Sequence, residues 1–450
     1  MKSWRTSEPV LWLLGGAGIG LIAVVQTTVF YSASPAVGLA LPIGLAMAAL
    51  VVARPMLGAC VGIAAVPLEV VGTQISPTEA LLLLTAGAVV LRWAFGIVRL
   101  DVDPTFLAFG AGLLWIGAGL GVAIDQFFVV RTLLMWTAFG LVALYVSSAD
   151  RREIVGVLWA IVFAATATAL IAMASGTTQE ARAGATAVDG RAQGSFTHPN
   201  QLAFFLVMAL PCALVLSVRA RAAARYVAIA ATAILFMALL LTLTRGAIIG
   251  ATVSLAIMLT WQPFRKVAAV VLVGLLLFGT INAERLSRSA QLSLVGQRLG
   301  TVFDREEANV NNGRLQIWAR IPEMARDRPV FGTGIGNFKE HSLAYGLSEG
   351  GLGFLHAHNV GLTVLAEQGL PGFGLLLLVL LLITRIAAGA LGRRHHPDFP
   401  LALAPIAGIG GLWVNSLTDY PPGSNPNMAR FLIEVGLLVA AARLLRRPPA

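Results

Sequence analysis

Apolar runs long enough to cross a bilayer recur along most of the chain, and this repetition constrains the fold more than any other feature. They lie at about 9–30, 35–53, 55–72, 76–98, 104–124, 126–147, 153–175, 199–218, 223–243, 245–262, 264–283, 371–391, 400–418 and 427–446. An α-helix needs roughly 17–25 predominantly apolar residues to span hydrocarbon, where only its own hydrogen bonds can satisfy the backbone. A chain that is 57% hydrophobic and 12% charged over 450 residues is not a water-soluble globule. The expected fold is therefore all-α: one integral membrane domain over 1–450, a polytopic transmembrane helical bundle of about 12–14 spans. The tightest junction is Arg54–Pro55, where proline stops one helix and can open the next.

The basic excess, 32 Lys and Arg against 22 Asp and Glu, would suit a nucleic-acid partner, but its placement excludes that class. Basic residues mark alternate junctions: Arg54, then Arg92 and Arg99, Arg151 and Arg152, Arg219, Arg221 and Arg225, Arg265 and Lys266, Arg393 and Arg394, and finally Arg443, Arg446 and Arg447. The opposite short loops, 31–34 and 73–75, carry none. Under the positive-inside rule this puts both termini in the cytoplasm and the long connections 176–198 and 284–370 outside. The first run follows Lys2 and Arg5 without a small-residue cleavage site and reads as a retained span. Cys60 and Cys212 sit in separate apolar runs and match no redox or metal spacing.

The large outer segment 284–370 holds an amphipathic helix candidate, capped near Asn311–Gly313, with Leu315, Trp318, Ile321 and Ala325 as its apolar stripe and Pro322 as a kink or stop. Gly332, Gly334 and Gly336 lack the strand and β-α-β setting of a nucleotide loop and read instead as a tight turn near a site. At the end of the segment, His356 and His358 stand one residue apart in a chain with six histidines. Were this stretch helical throughout, His356, Asn359, Thr363 and Glu367 would share one face within about eighty degrees, while His358 joined Leu362 and Leu365. Imidazole is the side chain best suited to take a proton near neutral pH. Two histidines two apart on a helix diverge and no acidic cluster completes a set, which argues against a metal.

A central arginine costs about 2.5–3.5 kcal/mol on insertion scales, so charged groups in or near a membrane core tend to mark sites. Arg131, Arg191 and Arg245 fall on the outer face with the histidines, and a guanidinium fork matches phosphate oxygens. Each has a structural reading too. Arg131 can bridge to Asp125 or Glu69, Arg191 can be solvated, Arg245 can reach headgroups, and His198, Pro199 and Asn200 can simply open a helix.

His358 and Asn359, followed after nine residues by Gly369 and after two more by Gly372, resemble the histidine motif of the O-antigen ligase and Wzy polymerase superfamily, which includes bacterial O-linked oligosaccharyltransferases. Gly194–Ala203, Leu243–Gly246, Arg314–Trp318 and Pro329–Phe338 extend the resemblance in order over roughly 190–374. Phe373 and Gly374 stand where the ligase pattern often continues with Thr-Pro, so the likeness extends to polymerases. It implies a GT-C-like, metal-independent glycosyltransferase without cofactor, in the bacterial inner membrane, with its active site on the periplasmic side. The implied donor is a glycan on undecaprenyl diphosphate, and the implied acceptor is lipid A–core or another glycan, delivered among membrane lipids. By the family pattern His358 is the base or acceptor-positioning residue, with His356 beside it. Arg191 and Arg245 hold the diphosphate, Arg131 and Arg314 assist, and His198, Asn200, Asn359 and Glu367 support. A secondary transporter is the alternative class; the absence of paired interrupted halves and the gathering of polar residues on one face argue against it.

Overall fold

The computed structural model describes residues 46–69, 75–175, 191–266, 268, 313–349 and 352–448. The expected span 9–30, most of 35–53, nearly all of 264–283 and the segment 284–312 lie outside these residues. In chain order the principal helices are α1 (Pro55–Ala64), α2 (Pro77–Ala94), α3 (Pro104–Ala118), α4 (Gln126–Val146), α5 (Arg151–Ala174), α6 (Pro199–Arg219), α7 (Ala222–Leu241), α8 (Arg245–Met258), α9 (Arg314–Asp327), α10 (Val360–Leu391), α11 (Phe399–Ser416) and α12 (Asn425–Leu444). Eight helices among the described residues are long and apolar enough to cross a membrane, and α1 and α8 are shorter apolar helices. The chain is an all-α polytopic membrane bundle.

Helix starts follow local chemistry. Proline opens α1, α2, α3 and α6, where its missing N–H forfeits no helical bond. Ser76 with Glu79 and Asp150 with Glu153 form reciprocal capping boxes on α2 and α5. α6 and α11 form the centre: 83% of each spanning window is buried, against 11% for the peripheral α10. α12 places Arg430 and Glu434 in the interior at 1% and 0% exposure, tolerated because they pair at 2.6 Å.

Glycines set the approach of α8 to α11. A Cβ on Gly250 would stand 2.5 Å from the Gly411 carbonyl, and one on Gly411 would stand 2.7 Å from the Gly250 carbonyl. The two backbones touch, which carries Arg245 at the start of α8 to the end of α11. The basic junctions meet at one end of the bundle, where Asp398 binds Arg151 at 2.8 Å and Arg219 at 3.5 Å, and Asp101 binds Arg443 at 3.1 Å. α6 and α8 start at the other end.

Three local expectations are corrected. α9 runs through Pro322 to Asp327, and its buried face is Ile317, Ile321 and Met324, while Leu315 is exposed. This phase seats the helix on Phe338, Leu347, Ala357 and Ala366. The apolar run expected at 371–391 is helical from Val360 and continues past a break at Gly369 (φ 68°, ψ −168°). That break is gripped by the glycine turn: Thr333 N–H donates to Ala366 O at 2.9 Å, Gly334 N–H to Glu367 O at 2.8 Å, and Leu370 N–H to Pro329 O at 2.8 Å. Third, a two-residue antiparallel pairing, Ser348–Glu349 with Leu352–Gly353, interrupts the otherwise helical pattern.

Candidate active site

The N-termini of α6, α8, α9 and α10 converge on the loop that follows α11. Each presents the positive end of its helix dipole, so the convergence favours an anion. His198 begins α6 and accepts the Asn200 N–H on Nδ1 at 3.1 Å. Asn200 Nδ2 donates to Asp419 Oδ2 at 2.5 Å, and its Oδ1 accepts from Arg191 Nη2 at 2.7 Å and Thr244 Oγ1 at 3.1 Å. Arg191 also donates to the Thr242 carbonyl at 2.7 Å and to Thr244 Oγ1 at 2.9 Å. These bonds hold its guanidinium at the start of α8, beside Arg245.

Asp419 is the hub. It is 7% exposed, and its Oδ1 lies 3.3 Å from His358 Nδ1 and 3.9 Å from His356 Nε2 while accepting the Tyr420 N–H at 2.9 Å. A carboxylate only accepts, so His358 carries its proton on Nδ1 and leaves Nε2 as a lone pair. His356 Nδ1 accepts the His358 N–H at 3.2 Å, which places the His356 proton on Nε2, facing Asp419. The two rings pack edge to face at 4.4 Å, and His356 lies 5.4 Å from the Tyr420 ring. Burial works against the Asp419 charge, yet the His358 hydrogen bond, the two imidazoles beside it and the Arg314 charge hold its pKa well below the usual carboxylate range. Burial lowers His356 to about 4, with Asp419 opposing and His358 and Arg314 adding to the shift. Burial followed by the Arg191 charge lowers His198 to about 4.

The helical-phase conflict dissolves in this geometry. Neither histidine is in a helix: Asn359 is the N-cap of α10, with Oδ1 accepting Leu362 N–H at 3.0 Å, and His358 adopts φ +50°. The turn brings both rings to one carboxylate. Asn359 Nδ2 also donates to Leu417 O at 3.0 Å, tying the histidine turn to the Asp419 loop. Arg314 opens α9 close enough to Asp419 and Arg245 to feel both charges; burial lowers its pKa, and its Nε is buried with no hydrogen-bond partner among the described residues.

Two sequence candidates join other networks. Arg131 pairs with buried Glu79 at 2.9 Å rather than with Asp125 or Glu69, and Asn425 Nδ2 donates to the same carboxylate. Asp125 instead caps α4 through Phe128 N–H at 2.9 Å. Glu367 is 2% exposed on α10, and its carboxylate accepts the backbone N–H groups of Gly336 and Phe338. Asp419, Tyr420 and Thr244 are site residues that sequence reading missed. The available signal was a lone acid between the runs 400–418 and 427–446, on the face assigned outside.

The dismissal of a metal on divergent helical histidines also fails: His356, His358 and Asp419 offer three ligand-capable atoms within 4.8 Å of one another. The surroundings disfavour a dication all the same. Asp419 already accepts from Asn200 and Tyr420, and Arg191, Arg245 and Arg314 make the local field positive. The donor set suits an anionic ligand beside a polarised imidazole.

Residues 230–377 match the family model for O-antigen ligases. The match spans 148 of the 450 residues. The matched segment contains Arg245, Arg314, His356 and His358, whereas Arg191, Asn200 and Asp419 come to them from outside it. No curated protein matches the chain. A solved chain described as "Structural coordination of polymerization and crosslinking by a peptidoglycan synthase complex" is 18% identical, covers 77% of this chain and 98% of its own length, and gives a TM-score of 0.42. That likeness is too weak to carry a functional argument.

Proposed function

We propose that the protein is a glycosyltransferase of the bacterial inner membrane, moving a glycan from undecaprenyl diphosphate to a sugar hydroxyl at the periplasmic end of the bundle. The observation that carries this reading is the bond from His358 Nδ1 to Asp419, surrounded by Arg191, Arg245 and Arg314. His358 Nε2 takes the proton of the acceptor hydroxyl as its oxygen attacks the anomeric carbon. The bond from that carbon to the diphosphate breaks, and its electron pair leaves on the diphosphate. Positive charge, not an acid, stabilises that leaving group: the three guanidiniums and four helix N-termini face charge that grows in the transition state. Asp419 fixes the His358 tautomer and stabilises the imidazolium until its proton passes to water, the role an orienting acid plays in a triad. His356 and His198, with pKa values near 4, stay neutral and do not repel the incoming proton.

An apolar groove between α3, α10, α11 and α12 supports a lipid-borne donor. Phe109, Leu113, Val364, Leu375 and Phe431 line it, and it reaches Tyr420 and Pro421 beside Asp419. A polyprenyl tail there would leave its diphosphate at the polar site. The acceptor we favour is lipid A–core. A second lipid-linked repeat is the alternative, favoured by Phe373 and Gly374 in place of the ligase continuation. Deletion followed by analysis of envelope glycans tests the reading. Full-length chains left on the carrier mark a ligase, unpolymerised repeats mark a polymerase, and unchanged glycans contradict both.

A further inference from the structure

Ala357, between the two histidines, is fully buried in an irregular stretch, and both of its backbone groups are held by side chains. Its carbonyl accepts the indole N–H of Trp318 at 2.8 Å, and its N–H donates to Thr363 Oγ1 at 3.2 Å. Thr363 is itself buried and donates to the Asn359 carbonyl at 2.8 Å. One peptide is thus clamped from α9 on one side and from α10 on the other.

The next residue explains why a clamp is needed. His358 has φ +50°, a left-handed conformation in which the Cβ crowds the following carbonyl. Such a backbone persists only where its surroundings hold it. Relaxed to negative φ, the residue would swing its ring away from Asp419 and lose the bond that fixes its tautomer. We infer that Trp318 is a positioning residue for His358: its indole N–H, acting through the Ala357 carbonyl, holds the left-handed turn that sets Nδ1 on Asp419. α9 would then serve the site twice, since Arg314 lies one turn before Trp318 and faces the same carboxylate. Trp318 touches no reacting atom.

The inference rests on the glycosyl-transfer reading only for its kinetic arm, so the primary readout is independent of substrate. Protein labelled with 15N-histidine, reconstituted in liposomes, reports the His358 tautomer by magic-angle-spinning NMR, with the signal assigned by comparison with His358→Asn. Wild type is expected to show the Nδ1–H form. Trp318→Phe, which keeps an aromatic ring and removes the donor, is expected to show a mixture of tautomers. Thr363→Val, which removes the other half of the clamp, is expected to move the same signal. Ile321→Val loosens the packing of α9 without touching the clamp and should leave it in place. In the kinetic arm, Trp318→Phe is expected to lower kcat for transfer from the lipid-linked glycan by roughly ten- to hundredfold, the scale of a misplaced catalytic group, with the donor KM unchanged. An unchanged His358 tautomer in Trp318→Phe overturns the inference, and so does an equal shift in Ile321→Val. A tautomer shift in a protein whose wild type transfers no glycan overturns the functional reading and leaves the positioning role standing.

Discussion

Asp419 decides what His358 can do. The carboxylate binds Nδ1, so the lone pair is on Nε2, and Arg314 helps to hold that carboxylate ionised. His356 and His198 have a different titration. Both are lowered from 6.5 to about 4, so between those values the unfolded chain binds protons that the native state refuses. Their contribution to stability is therefore complete above pH 6.5 and is lost as pH falls through that window. Asp419, depressed from 3.8, loses its contribution only below that value. The thermal unfolding midpoint in detergent should thus fall on acidification from about pH 6.5, more shallowly in His198→Asn with His356→Asn; a flat profile in wild type would show these rings to be solvated. The histidines and arginines were legible because polar groups are rare in such a chain. Asp419 was not, since one acid after an apolar run resembles any loop acid until the fold sets it beneath two imidazoles.

At the scale of elements, helix starts and helix contacts build the site. Proline and capping residues fixed where most helices begin, and the sequence shows them directly. The break at Gly369 and the burial phase of α9 depend on partners distant in the chain, the 329–334 turn and the Phe338–Ala366 surface, which periodicity does not reveal. The glycine contact between α8 and α11 is the element on which Arg245 depends. Gly250→Val should force those backbones apart, destabilise the bundle by about 1–3 kcal/mol, and raise the donor KM as Arg245 withdraws from the arginine set. Thermal unfolding together with donor-titrated transfer measures both effects. Wild-type values for the two would mean that the helices have slack the structure does not show.

For the whole molecule, the bundle has two chemically distinct ends. Arg151, Arg219 and Arg443 meet acids at one end, while the α6 and α8 N-termini, the arginine set and the histidines meet at the other. An apolar groove reaches that second end beside Tyr420 and Pro421, which fits the lipid-borne donor we propose. Basic junctions in the sequence already separated the ends; the groove, made where α3 and Trp136 of α4 meet the distant helices α10, α11 and α12, appears only on packing. The direct test is transfer from purified undecaprenyl-diphosphate-linked glycan in proteoliposomes, with chelator present throughout. The account predicts full wild-type transfer under these conditions and a loss of about 10²–10⁴-fold in both His358→Ala and Asp419→Asn. Transfer abolished by the chelator, or undiminished in His358→Ala, would contradict it.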